Sequence, residues 1–130
     1  MKHYTNAWKK SFDFSGRALR AEFWAFSLIN YAIMLLLISL GLLLSEGNLS
    51  YSMAPVVPYI IFLIIIIIPT ISVTVRRLHD IDKSGGWFFI QLIPTIGYIV
   101  IIVFACTDGT SGDNKYGADP KNRKNTTVSF

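Results

Sequence analysis

Three apolar runs alternate with polar segments along the chain: Phe23 to Leu44, about Met53 to Val75, and Trp87 to Cys106. Each holds about 20 residues without Asp, Glu, Lys or Arg, and at 1.5 Å of rise per residue a helix of that length matches a hydrocarbon core about 30 Å thick. The pattern predicts an all-α membrane protein with three transmembrane helices, over residues 23–44, 53–75 and 87–106, in one integral membrane domain covering residues 1–120. Ile60 to Ile68 is almost all isoleucine, the composition of a strand, but the length and neighbours of the run favour a helix. The first run is longer than a signal-peptide core and ends in Leu42-Leu43-Leu44-Ser45, without a small-residue cleavage pattern, so it is expected to remain as an anchor.

Ahead of the first span, Tyr4, Ala7, Trp8, Ser11 and Phe12 recur at helical spacing with Lys9 and Lys10 to one side. This predicts a short amphipathic N-terminal helix, either lying in the headgroup layer or packed on the other loops. Ser15-Gly16 breaks it, and Phe23 and Trp24 are placed to anchor the first span at the interface. Inside that span Asn30 is costly to leave facing lipid and marks a helix-facing side. Ser45 to Pro58 is read as a short loop. Pro69 is expected to kink the second helix, with Thr70, Ser72 and Thr74 at hand for the backbone groups it frees. Pro94-Thr95-Ile96-Gly97 marks a kink and a close-packing point in the third. Beyond Cys106 the chain turns to Gly, Asn, Asp, Thr and Lys, which predicts an irregular, exposed C-terminal tail, flexible over residues 121–130.

Composition agrees with lipid as the solvent: 52% of residues are hydrophobic and 15% charged, against about a quarter charged in soluble domains. The mean hydropathy is +0.48. A pI of about 9.3 would suit nucleic acid in a soluble chain, but here membrane orientation accounts for it and no nucleic acid is expected. With the N-terminus in the cytoplasm, eight Lys and Arg lie inside and four, Lys115, Lys121, Arg123 and Lys124, lie outside in the tail. The inverted arrangement reverses those counts. A multi-pass protein with a cytoplasmic N-terminus is therefore expected, its tail on the outer side against the charge bias. The single cysteine, Cys106, excludes an intramolecular disulfide and a thiolate metal cluster, and is expected to pack at the end of the third span.

Between the second and third runs, Val75 to Trp87 packs three basic residues, two carboxylates and a histidine. In the predicted topology Arg76, Arg77, His79 and Asp80 reach the same face as Arg17, Arg20 and Glu22. On a continued helix Arg76 and Asp80 are an i,i+4 pair, and Arg77 and Asp80 an i,i+3 pair. Arginine's planar fork pairs with carboxylate or phosphate in two-point fashion. The cluster is thus either a salt-bridge network that holds the helices together, the favoured reading, or a site for an anionic phospholipid headgroup or other phosphate group. Both can hold at once.

Other chemistry does not assemble. His79-Asp80 has only His3 as a further histidine, so neither a metal site nor an enzyme is expected, and no cofactor. Asp108 to Asn114 lacks the closing acidic residue of a calcium loop and reads as a Gly/Asn turn. Asn48-Leu49-Ser50 and Asn125-Thr126-Thr127 match a short glycosylation pattern of high chance rate.

Four motifs stand in order: Phe14-Ser15-Gly16-Arg17-Ala18-Leu19-Arg20-Ala21-Glu22-Phe23-Trp24; Arg76-Arg77-Leu78-His79-Asp80-Ile81-Asp82-Lys83-Ser84-Gly85-Gly86-Trp87; Pro94-Thr95-Ile96-Gly97; and Gly112-Asp113-Asn114-Lys115-Tyr116-Gly117-Ala118-Asp119-Pro120. Together they resemble the domain-of-unknown-function 805 family (DUF805) of small bacterial inner-membrane proteins, from about Trp8 to Pro120. One departure is a second glycine, Gly86, before Trp87, where the family's turn reads Ser-Gly-Trp. The resemblance implies a bacterial cytoplasmic membrane protein without an assigned activity. By position, Gly16, Arg17, Arg20, Glu22, Trp24, Arg76, Arg77, His79, Asp80, Ser84, Gly85, Trp87, Asn114, Tyr116 and Gly117 match its motifs. The expected role is non-enzymatic: the inner-face cluster stabilises helix packing and binds anionic lipid or a cytoplasmic partner. The alternative is a subunit of a small oligomeric transporter or channel, motivated by Pro69, Pro94, Asn30 and Gln91, which requires a homo-oligomer or a membrane-protein partner because three helices enclose little.

Overall fold

The computed structural model describes residues 2–45 and 56–121. Four α-helices are present among them: α1 (Lys2–Lys9), α2 (Arg20–Leu44), α3 (Val56–Asp80) and α4 (Ile96–Cys106), with a 3-10 helix (Gly85–Leu92) between α3 and α4. Most of the expected loop Ser45 to Pro58, and the expected flexible end beyond Lys121, lie outside the described residues.

α2 and α3 cover the first two apolar runs, and each is long and apolar enough to cross a membrane. They run antiparallel, since the first turn of α2 meets the C-terminal end of α3 through Glu22 and Arg76. Along most of their length they expose Leu, Ile and Tyr side chains, Leu35, Leu40, Ile64 and Ile67 among them, while the largest fully buried side chains are Arg76 and Arg77. Apolar outside and charged inside is the arrangement a protein takes when its solvent is lipid. α3 remains one helix through Pro69. The Thr70 hydroxyl donates to the Ile66 carbonyl, not to that of Ile65, the one a proline at 69 frees.

α1 packs along α2 instead of standing apart. Tyr4 stacks on Phe26 at 5.9 Å, Trp8 meets Phe26 edge-on at 6.0 Å, and Ala7 is fully buried. The Tyr4 hydroxyl donates to Asn30 Oδ1 at 3.2 Å, so Asn30 does face a helix, and that helix is α1. Phe12, read as part of the same apolar face, is instead 80% exposed.

The third apolar run departs from expectation: it is two short helices that double back. Pro94, without an N–H, cannot continue the 3-10 helix, and Ile93 before it is extended. Thr95 then takes φ 66°, ψ −59°, and the Ile96 N–H donates to the Pro94 carbonyl at 2.7 Å, a γ-turn with positive φ at its centre. Gly97 lets the arms close, because a Cβ there would overlap the Ile90 carbonyl. At the other end Trp87 meets Phe104 at 5.5 Å, and Lys83 Nζ lies 5.7 Å from both rings. Residues 85–106 therefore form a hairpin whose two ends lie together, beside the C-terminus of α3.

That C-terminus is closed by a Schellman motif. The Lys83 N–H reaches the Leu78 carbonyl at 2.9 Å and the Asp82 N–H the His79 carbonyl at 3.0 Å, with Asp82 at φ 61° where glycine is usual. The tail is a second correction. It returns to the charged end of the helices and not to the opposite one, and Gly109, Gly112 and Asp119 are buried there. Cys106, expected to pack, is exposed.

Candidate functional site

The site is the charged end of the bundle, where the 10–19 loop, the first turn of α2, the last turn of α3, the end of α4 and the tail converge. Among the described residues the buried charges there are Arg17, Arg76 and Arg77 against Glu22, Asp80 and Asp119. Three guanidinium groups face three carboxylates.

Asp80 is the centre. Its Oδ1 accepts from Arg17 Nε at 2.9 Å and its Oδ2 accepts from Arg77 Nη1. Arg17 also donates to the carbonyls of Gly112 and Thr110, both at 2.7 Å, and lies 3.9 Å from Asp119 Oδ1. Arg77 donates to the carbonyls of Ala18, Ala105 and Thr107. The last two carbonyls belong to the final turn of α4 and the residue after it, so Arg77 supplies positive charge where the helix dipole is negative. Each arginine therefore fastens the tail or the hairpin to α3 through main-chain carbonyls, and Asp80 neutralises both. Gly109 is required for this: a Cβ there would overlap the Asp80 carboxylate.

Arg76 serves the other side. Its Nη1 donates to Glu22 Oε1 at 2.6 Å and its Nε to Ser72 Oγ at 3.4 Å. The Ser72 hydroxyl shares its proton between the carbonyls of Lys10 and Asp13, each at 2.7 Å, and the Ala18 N–H reaches the Arg76 carbonyl at 3.0 Å. The loop between α1 and α2 is thereby tied to α3. Arg76 Nη2 is buried without a hydrogen bond. The nearby Asp13 carboxyl is held below its ordinary range, first by the Ser15 N–H, then by the Ser15 hydroxyl and the Gly16 N–H, and in smaller part by the Arg76 charge.

His79 stacks on Tyr116, ring centroids 4.0 Å apart and planes 2° from parallel, and its Nδ1 lies 3.0 Å from the Gly16 carbonyl, which makes it the donor. Asn114 closes the tail: its Nδ2 donates to the His79 carbonyl at 2.9 Å, its Oδ1 accepts from the Tyr116 N–H, and it bridges Gly117. The stack and the amide together hold the Asn114-Tyr116-Gly117 motif on the last turn of α3.

The structure thus brings together Gly16, Arg17, Glu22, Arg76, Arg77, His79, Asp80, Asn114, Tyr116 and Gly117. Arg20 stands at the rim, side chain 44% exposed and 3.7 Å from Asp108, donating to the Cys106 carbonyl at 3.1 Å. Gly85 sits at the mouth of the hairpin against Val75. Ser84 precedes that helix, and Trp87, 42% exposed, faces Phe104. Trp24 lies edge-on to Phe23 at 5.4 Å and packs against the buried apolar cluster. The expected Arg77–Asp80 pair forms; the expected Arg76–Asp80 pair does not, because Glu22 takes Arg76. Ser72, Gly109, Thr110 and Asp119 were not singled out from the sequence as members of the site. Only Asp119 carried a signal, as one of the two acidic residues, with Asp113, of the last motif.

Comparison with known proteins follows the same segments. Residues 11–118 match the family described as protein of unknown function (DUF805). The chain is 39% identical to the inner membrane protein YhaI of Escherichia coli K12 over 123 residues, covering 93% of this chain and 97% of that one. It is 39% identical to the inner membrane protein YhaH of the same strain over 127 residues, 93% of this chain and 98% of that one. It is 29% identical to the uncharacterized protein YiiR, also of that strain, over 138 residues, covering 87% and 89%. No solved structure matches. The matched span begins at Ser11, before the Arg17 loop, and ends at Ala118, next to Asp119, and so contains both the Arg17 loop and the Arg76–Asp80 end of α3: the chain belongs to the DUF805 family.

Proposed function

We propose that the protein is a non-enzymatic protein of the bacterial inner membrane in which α2 and α3 cross the bilayer. Residues 85–106 enter from the cytoplasmic side and return to it. In that orientation the ten Lys and Arg among the described residues lie on the cytoplasmic side, and the sequence between α2 and α3 carries none. The positive-inside bias is then satisfied without exception, which the three-span arrangement did not achieve. Support for the bilayer comes from the inner membrane relatives and from the exposed apolar faces of α2 and α3.

The observation that carries the role is the Arg17–Asp80–Arg77 triad, buried and spent on internal partners. It is a lock that holds the N-terminal loop, the hairpin and the tail on one face. Contact with anionic headgroups falls to the exposed cations Lys9, Lys10 and Arg20, with Phe12 and Phe14 exposed beside them as interfacial rings. The test is thermal unfolding of the purified protein in nanodiscs with and without phosphatidylglycerol. The triple variant Lys9→Gln, Lys10→Gln, Arg20→Gln is expected to lose the stability added by anionic lipid, beyond the small loss in neutral lipid that follows from the Arg20 contacts with Asp108 and the Cys106 carbonyl. An undiminished anionic-lipid shift in that variant would refute the assignment. The second reading, a subunit of a small oligomeric transporter or channel, is favoured by one feature, the uncovered reversal at Ile93–Thr95.

A further inference from the structure

The tip of the hairpin is in the wrong environment for a single copy. The 3-10 helix has eight residues, about 16 Å at 2.0 Å per residue, and α4 has eleven, also about 16 Å. If the hairpin enters at the cytoplasmic face, its reversal lies near the middle of a hydrocarbon core about 30 Å thick. There Leu92 is 79% exposed, Ile96 62% and Ile93 49%, and Pro94 and Thr95 are exposed between them. The Thr95 hydroxyl makes no cap bond, and among the described residues its N–H reaches no backbone acceptor. Non-helical backbone at this depth persists only when protein or a water-filled cavity covers it, because lipid tails offer no hydrogen bonds. A β-branched residue at φ 66° likewise needs surroundings that hold it. Among the described residues of one chain nothing does.

A matching surface lies at the same depth. α2 and α3 enclose a groove of about 570 Å³, mostly apolar, with Met34 and Leu63 toward one end, Phe88 toward the other, and the polar side chains of Asn30 and Thr70 between. Gly85 sits against Val75, so the hairpin starts at the level of Val75. A rise of about 16 Å brings its tip to the level of about Leu63 to Ile65 on α3. Two copies inserted with the same orientation share one depth scale. A tip and a groove at equal depth are therefore what a contact between copies requires.

We infer that the hairpin tip of one copy, Leu92 to Ile96, seats in the α2–α3 groove of a second copy. This rests on the two-span orientation proposed above. In the complex the apolar tip fills the groove and the Thr95 turn is shielded from lipid.

The experiment is disulfide cross-linking in native membranes between two differently tagged chains, both carrying Cys106→Ser. One carries Leu92→Cys or Thr95→Cys at the tip, the other Met34→Cys or Leu63→Cys in the groove. Oxidation is expected to give a product bearing both tags for tip–groove combinations, and none when the groove position is replaced by Leu43→Cys at the far end of α2. Products from Thr95→Cys paired with itself, without tip–groove products, would overturn the seating. So would no product in any combination. In parallel, Ser111→Cys labelled by an impermeant maleimide from the periplasmic side would refute the orientation and the inference with it. Ser111→Cys protected from that side, without cross-links, refutes the inference alone.

Discussion

Arg76 Nη1 and Glu22 Oε1 stand 2.6 Å apart across 54 residues of sequence, with their side chains 0% and 3% exposed. This pair joins the C-terminal end of α3, just before its last turn, to the first turn of α2. Removing one member leaves the other charged and buried, which costs about 3–5 kcal/mol, whereas the intact pair adds less than that because both groups had to be desolvated. Glu22→Gln and Arg76→Gln are each expected to lower stability by about that amount. The reversal Glu22→Arg with Arg76→Glu is expected to recover part of it, limited by Ser72, which gives Arg76 Nε an acceptor. Thermal unfolding of the four proteins in detergent checks this; a double variant no better than the worse single one would show that the pair is not the coupling.

Gly109 supplies a sharper test of the tail. Its missing side chain makes room for the Asp80 carboxylate, and the neighbouring Thr110 N–H reaches the Asp80 carbonyl at 2.8 Å. Gly109→Ala is expected to displace the tail at a cost of about 1–3 kcal/mol, typical of overpacking, and to expose the 108–121 segment to protease while α2 and α3 remain intact. Limited proteolysis in membranes reads this directly. A wild-type cleavage pattern would mean that the tail is not held by this contact.

The two long helices and the convergence of charge were legible in the sequence because both follow from local rules, run length and the grouping of basic residues. The pairing within the cluster was not. Helix spacing allowed Arg76 to reach Asp80, and only the fold of the 10–19 loop decides that Arg17 occupies Asp80 instead. The hairpin was hidden for a similar reason. Pro69 and Pro94 carry the same local defect, yet α3 runs on through Pro69 while the chain reverses at Pro94. What separates them is Gly97, which permits close approach of the arms, and the tail, whose bonds to Arg17 and His79 hold the far end at the near face. The four tail cations set against the positive-inside bias were the trace of this in the sequence.

Acid should loosen the loop between α1 and α2. The Asp13 carboxyl accepts from the Ser15 N–H and hydroxyl at 3.0 and 2.9 Å, and its pKa is lowered on folding. A carboxyl whose folded pKa is depressed contributes stability that is fully present above its unfolded value, about 4, and is lost as pH falls through the folded one. The stability difference between wild type and Asp13→Asn is therefore expected to be constant above about pH 5 and to shrink toward pH 3. Thermal midpoints measured across that range test it, and a difference that grows on acidification would contradict the sign.

The side of the membrane on which the tail lies decides between the two topologies. Tail and N-terminal loop touch through Arg17 and the Gly112 carbonyl at 2.7 Å, so they share a side whatever the orientation. Three spans would separate them by a bilayer. Two spans with a hairpin place both beside Asp80 and leave Ser45, at the end of α2, on the opposite face. In a Cys106→Ser background, Ser45→Cys is expected to react with an impermeant maleimide added to intact spheroplasts, while Ser111→Cys reacts only after the membrane is opened. Cleavage adds an independent reading, since protease added outside should leave residues 107–121 untouched in sealed vesicles of native orientation and remove them in inverted ones. Labelling of Ser111→Cys from outside, with Ser45→Cys protected, would invert the molecule; labelling of both from outside would restore the third span and separate Arg17 from the carbonyls that it holds here.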